Sequence, residues 1–296
     1  MDKNNNKALT GASAAVVAFS LWGAIPIYFK SVSHIPAFEI LAHRVVWTVV
    51  FLGIIIILKG SLGNVFSVFK NKKLFLTLIV SSFLISCNWL VFIWAVANGQ
   101  ILEASLGYFT TPIVSVAFGL FFLKEKLSSW QWFAVGLSIL SVSNLFWSHG
   151  SFPWIAISVS ITFGLYGLVR KIAKVDAFSG LFVETSVLVL PMLVYLFLIG
   201  FNGNGAYGSS DFVLNGLLMT GGLITATPLV LFAMATKRLR LSTVGFFQYI
   251  TPTGQFLLAV FLYNEPFSDA HLITFVIIWL ALAIYSFDNF NFHTQK

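Results

Sequence analysis

Ionisable side chains are scarce in this 296-residue chain, and several stand inside long apolar runs, where a charge is costly and therefore informative. Glu39, His43 and Arg44 open one such run. Glu39 and His43 are four residues apart and share a helix face, so they could pass a proton, since His titrates near neutrality. Arg44 is turned about 100° from His43 and can bind an anion. Glu184 stands seven residues past Ala177, as Arg44 stands seven past Ala37; at 1.5 Å per residue both lie roughly 10 Å along their helices. A cation and an anion at matched depth could line a route for a charged or zwitterionic solute. The structural alternative is a buried ion pair joining Arg44 to Glu39, Glu103 or Glu184. Glu103 also suits the N-terminus of its own helix, where a carboxylate is favoured.

Four further residues belong with this set. Asn88, Tyr108 and Gln248 offer hydrogen bonds, and Trp94 offers an aromatic wall. Such groups are what a small-molecule cavity requires, although helix packing would use each of them equally well. Pro112 and Pro252 interrupt backbone hydrogen bonding and kink their helices, which could bend them around a central opening. Enzyme signatures are missing: there is no His-Glu-x-x-His, no Gly-x-Ser-x-Gly elbow and no phosphate-binding Gly-Lys loop. Cys87 stands alone, so neither a disulfide framework nor a cysteine metal site is expected. No metal or cofactor is called for.

The elements that must hold these residues are hydrophobic helices. The chain is 58% hydrophobic and 9% charged, against about 25% charged in a water-soluble domain, which defines a polytopic membrane protein. Apolar runs near twenty residues, the length that crosses a bilayer core, fall at about 8–29, 36–58, 74–97, 101–123, 130–147, 152–169, 177–200, 212–236, 241–262 and 269–287. They lack the alternation of barrel strands, so the expected fold is all-α with ten transmembrane helices. The first run is too long for a signal-peptide core and no cleavage site follows it; it is read as a retained helix.

Charge sets the orientation. Of the 17 Lys and Arg, Lys30 and the intrahelical Arg44 are the exceptions; the rest fall on the N-terminus, the C-terminus and alternate loops. The bias places both termini in the cytoplasm. The net charge of +7 is thus a topology signal, not a nucleic-acid footprint. The partners expected are the lipid bilayer and a small-molecule solute, with a homodimer left open.

The chain also repeats itself. Ala104-Ser-Leu-Gly-Tyr-Phe-Thr-Thr-Pro112 is followed by Glu125, and a second copy starting near Ser242 carries Thr251-Pro252 and then Glu265. A shift of 140 residues superimposes Tyr108 on Gln248, Pro112 on Pro252, Glu125 on Glu265 and Arg44 on Glu184. Internal repeats of this kind decide architecture. Each half, 1–148 and 149–296, holds five runs, an odd number, so the second half enters the membrane from the opposite side. Glu125 is flanked by Lys124 and Lys126, whereas no Lys or Arg lies between Arg240 and Lys296, as inversion requires. Inverted five-helix repeats are a transporter device with the site near the midplane.

Several segments carry a family likeness. Trp22-Gly23, Ile40-Leu-Ala-His-Arg44, Asn88-Trp-Leu-Val-Phe-Ile-Trp-Ala-Val96, Leu102-Glu-Ala-Ser-Leu-Gly-Tyr-Phe109, Tyr166-Gly-Leu-Val-Arg-Lys171 and Leu239-Arg-Leu-Ser-Thr-Val-Gly-Phe-Phe-Gln-Tyr249 resemble the RarD family, EamA-type members of the drug/metabolite transporter superfamily. The resemblance runs over nearly the whole chain. It implies a five-plus-five permease of the bacterial inner membrane. Thr111 stands where the family pattern has Asn, so that position is given no role. The expectation is a secondary transporter or facilitator for a small metabolite, amino-acid-like compound or drug, working by alternating access. A membrane receptor or assembly scaffold, and an intramembrane enzyme acting on lipid-linked substrates, are the competing readings.

Overall fold

The computed structural model describes residues 3–97, 101–149, 154–208, 211–263 and 269–294. Among them the chain forms twelve helices and no strand: α1 (Lys3–Ser31), α2 (Ala37–Leu58), α3 (Leu62–Lys70), α4 (Lys72–Ala97), α5 (Ile101–Leu123), α6 (Ser129–His149), α7 (Trp154–Ile172), α8 (Ala177–Phe201), α9 (Phe212–Arg238), α10 (Leu241–Phe247), α11 (Ile250–Phe261) and α12 (Asp269–Thr294). Six of these, α1, α2, α4, α7, α8 and α9, are long and apolar enough to cross a membrane. Shorter apolar helical stretches cover Gly107–Leu123 and Leu272–Tyr285.

Large apolar side chains such as Leu58, Phe121, Trp147, Leu190 and Phe212 point outward, while Glu39, Arg44, Arg170 and Glu184 are buried. That reversal of the usual polarity suits a lipid surround. Helix starts follow local chemistry: the Asp176 carboxylate accepts from Ser179 N at 2.9 Å to begin α8, and Asp211 accepts from Val213 N and Leu214 N to begin α9.

Two expectations are corrected. The runs expected at 36–58 and 74–97 leave 59–73 as a connection, and that stretch contains the further helix α3. The 241–262 run is not one helix, because α10 ends at Phe247 and α11 begins at Ile250. Pro252 has no N–H to return to Gln248 O; Thr251 N takes that carbonyl instead at 3.1 Å, tightening the turn. On the other side of the repeat, α5 runs unbroken through Pro112.

The extensive packing joins helices from opposite halves of the sequence: α1 with α9 and α11, α2 with α8 and α9, α4 with α7 and α8, α5 with α7 and α10, and α6 with α12. Glycine permits the closest approaches, as small residues do between membrane helices. A Cβ on Gly222 of α9 would sit 2.4 Å from Trp47 C and 2.6 Å from Thr48 N of α2. Gly23 and Gly254 likewise meet backbone to backbone between α1 and α11.

Candidate functional site

A cavity with about 580 Å³ of atom-free space, its opening included, lies between these helices. Phe19, Trp22, Ile25 and Phe29 of α1, Trp89 and Phe92 of α4, and Phe163 of α7 supply apolar walls. The polar lining is Arg44, Asn88, Tyr108, Thr111, Gln248, Thr251 and Gln255. Both halves of the chain contribute.

The backbone explains several of these positions. Pro26 cannot hydrogen-bond back to Trp22 O, and Gln255 Nε2 donates to that carbonyl at 3.4 Å. Thr251 Oγ1 donates to Phe19 O at 2.9 Å, tying α11 to α1. Asn88 Nδ2 donates to Val159 O at 2.9 Å and to Thr162 Oγ1 at 3.1 Å, fixing α4 against α7. Gln248 stands at the α10–α11 break; its Oε1 accepts from Ser115 Oγ at 3.2 Å, while its Nε2 is buried without a partner.

Arg44 is the cation of the cavity and is only 4% exposed. Its Nε donates to Thr225 Oγ1 at 2.8 Å. Its guanidinium lies over the Trp89 ring at 4.8 Å and near the Phe29 ring at 5.4 Å. Among the described residues no carboxylate comes within ion-pair distance of it.

Glu184 lies elsewhere. Its Oε1 is 3.3 Å from Arg170 Nη1, and neither side chain has any exposed area. Arg170 also donates to Ala177 O at 3.4 Å, and Gly180 leaves room for its guanidinium, since a Cβ there would be 2.3 Å from Nη1. The pair therefore locks α7 to α8 across their short turn. This revises two expectations: Glu184 is not among the cavity-lining residues, and Arg170 is a buried helix residue instead of a loop charge.

The remaining candidates scatter. Glu39 and His43 are buried, with Glu39 Oε1 accepting from Ala206 N at 2.6 Å and standing 3.8 Å from His43 Nε2. His43 packs against Tyr207, its ring centroid 5.1 Å away. Both thus hold the 201–208 turn and do not line the cavity. Trp94 is 41% exposed and meets Trp154 at the periphery. The Glu103 side chain and Glu265 lie outside the described residues. Pro112 and Pro252 neighbour the lining residues Thr111 and Thr251. Trp22, Phe163, Thr251 and Gln255 line the cavity without having been expected there; the two polar ones, four apart on one helix face, were the available signal.

A second polar cluster sits at the end of the bundle bearing Lys124, Lys126, Lys171 and Arg240. Lys124 adopts a left-handed conformation, φ 53°, which ends α5 and lets Glu125 N bond Gly119 O at 3.0 Å. The chain so turned aims the Glu125 carboxylate at the start of α10, where it accepts from Leu241 N (2.8 Å), Ser242 N (3.1 Å) and Ser242 Oγ (2.7 Å). Gly119 makes space, for a Cβ there would be 2.7 Å from Glu125 Oε2. Arg240 bonds Lys126 O, and Lys171 Nζ donates to Leu239 O at 2.5 Å. A first-half carboxylate thereby clamps a second-half helix.

An all-helical bundle with an apolar exterior, buried charges and a polar cavity defines a multi-pass membrane protein of transporter type. The model of the EamA-like transporter family matches residues 9–147. The protein RarD of Escherichia coli is 42% identical over 286 residues, covering 97% of this chain and 96% of that one. An uncharacterized transporter of Vibrio cholerae is 41% identical, covering 97% and 95%. A more distant relative, the chloramphenicol-sensitive protein RarD of Pseudomonas aeruginosa, is 28% identical over 94% of each chain. A solved crystal structure superimposes with a TM-score of 0.69 over 95% of this chain and 98% of its own, at 16% identity, a likeness of fold alone. The chain belongs to the RarD family of EamA-type transporters.

Proposed function

We propose that this protein is a secondary permease that moves a small metabolite, amino-acid-like compound or drug across the bacterial inner membrane by alternating access. In this reading residues 1–148 and 149–296 are inverted five-helix repeats, ten spans in all, with both termini in the cytoplasm and the cavity between them as the solute site. Arg44, Asn88, Tyr108 and Gln248 are its polar contacts. Glu184 and Trp94 support the surrounding helices, and Glu39 with His43 braces the turn above α8.

The observation that carries the reading is the cavity itself, lined by helices of both halves. The packing supports the symmetry. Exchanging α1 with α7, α2 with α8, α4 with α9, α5 with α10–α11 and α6 with α12 turns the α1–α9 contact into α7–α4, α2–α9 into α8–α4 and α5–α7 into α11–α1, all of which occur. The α6–α12 contact maps onto itself and is nearly reciprocal in detail: Ser141 Oγ donates to Thr274 O at 2.8 Å, and Thr274 Oγ1 to Ser141 O at 3.3 Å. The Glu125 clamp lies at the basic, cytoplasmic end, where it would close one mouth of the route. The Vibrio cholerae relative is named an uncharacterized transporter, and a buried site between repeats is what rocking halves need.

The test is solute flux. The purified protein in proteoliposomes, challenged with a labelled panel of amino acids, organic acids, amines and drugs with and without a pH gradient, should carry at least one solute saturably. Folded, correctly inserted protein that moves none of them would refute the permease.

A further inference from the structure

We infer that the cavity is a carboxylate site, in which the terminal NH2 groups of Arg44 hold the carboxylate of the solute while aromatic walls hold an apolar body. This rests on the permease reading for its location but not for its chemistry.

A guanidinium carries five N–H donors in a fixed fork. At Arg44 only Nε is used, bonded to Thr225 Oγ1 at 2.8 Å. Thr225 passes its own proton to Gly221 O at 2.7 Å, so its oxygen is turned to accept from the arginine. The two terminal nitrogens donate to no protein group among the described residues. The head group is nonetheless held in place, by Trp89 and Phe29 and by the close passage of its Cγ past Gly221. A pre-oriented fork with its outer edge free matches a carboxylate, which accepts two parallel N–H bonds.

Three further observations bear on the sign and shape of the ligand. A further lining group without a hydrogen-bond partner among the described residues is the Gln248 amide NH2, on a residue 4% exposed, which can donate to a ligand oxygen. Among the described residues no acidic side chain lines the cavity, so a cationic solute would meet Arg44 with none of them to offset the repulsion. Trp22, Phe163 and Trp89 supply flat apolar surface. The solute class is accordingly a small monocarboxylate or zwitterion with an aromatic or branched apolar end.

The full-length protein in phosphatidylethanolamine/phosphatidylglycerol nanodiscs is titrated calorimetrically with three matched probes: phenylacetate, phenylacetamide and phenethylamine. Phenylacetate is expected to bind at least about tenfold more tightly than the amide, because a site built on paired donors rejects a ligand that cannot fill them, and the amine is expected not to bind. Arg44→Gln should abolish the preference for phenylacetate over the amide. Arg44→Lys, which keeps the charge but loses the fork, should retain a weakened preference. Equal or tighter binding of the amide or amine, a preference that survives in Arg44→Gln, or no binding of any probe to folded protein would overturn the assignment. The wild-type comparison needs no variant, so poor folding of Arg44→Gln leaves it intact. Binding of phenylacetate without flux of any panel solute would keep the site and lose the permease; flux of neutral or cationic solutes with preference for the amide would do the reverse.

Discussion

This protein buries two arginines, and they are treated oppositely. Arg170 sits with Glu184 at 3.3 Å, both wholly enclosed, with Arg170 also bonded to a carbonyl of α8. Arg44 has a hydroxyl, two aromatic rings and a cavity, and no carboxylate among the described residues. Taking a charge out of water is expensive unless an opposite charge compensates it. Among the described residues that compensation is present where the arginine joins two helices and absent where the arginine faces the cavity. A buried charge whose complement is internal belongs to the scaffold; under the carboxylate-site proposal the other is completed by the solute.

The largest effect should come from breaking the internal pair. Glu184→Ala leaves Arg170 buried and unpaired, and is expected to lower stability by about 3–5 kcal/mol, read as thermal unfolding of the detergent-purified protein. Replacing both partners, Arg170→Met with Glu184→Leu, should stay within about 2 kcal/mol of the parent in either direction and retain flux. Loss of flux in a stable double variant would move Glu184 out of the scaffold. The smallest effect is expected at Thr225. Thr225→Val removes the one hydrogen bond that orients Arg44, about 0.5–1.5 kcal/mol, and should weaken phenylacetate binding more than phenylacetamide binding. Thr225→Ser should restore the difference; a Thr225→Val variant with unchanged preference would show that the aromatic rings alone position the guanidinium.

Much of this arrangement was legible in the sequence. Apolar runs became helices because nothing else satisfies the backbone in lipid, and Asp176 and Asp211 stand where α8 and α9 begin. Arg44, Asn88, Tyr108 and Gln248 do meet in one cavity. The partner of Glu184 was not legible. The 140-residue shift set Glu184 opposite Arg44, whereas its partner is Arg170, fourteen residues earlier. A basic residue in the last turn of a helix looks like an ordinary topology charge, and only packing of α8 over it shows otherwise. The aromatic walls were illegible for another reason: with 32 Phe and nine Trp in the chain, residue type cannot say which rings face inward. Trp94, chosen on type, faces out.

The contrast between the two arginines is tested most directly by flux in matched proteoliposomes containing equal amounts of folded wild type, Arg44→Gln and the Arg170→Met/Glu184→Leu double variant. The account predicts that Arg44→Gln lowers saturable uptake of a carboxylate solute by at least about tenfold, the loss of one desolvated charge-assisted contact, while the double variant transports as the parent does. Uptake by Arg44→Gln equal to wild type, with the double variant inactive, would contradict it.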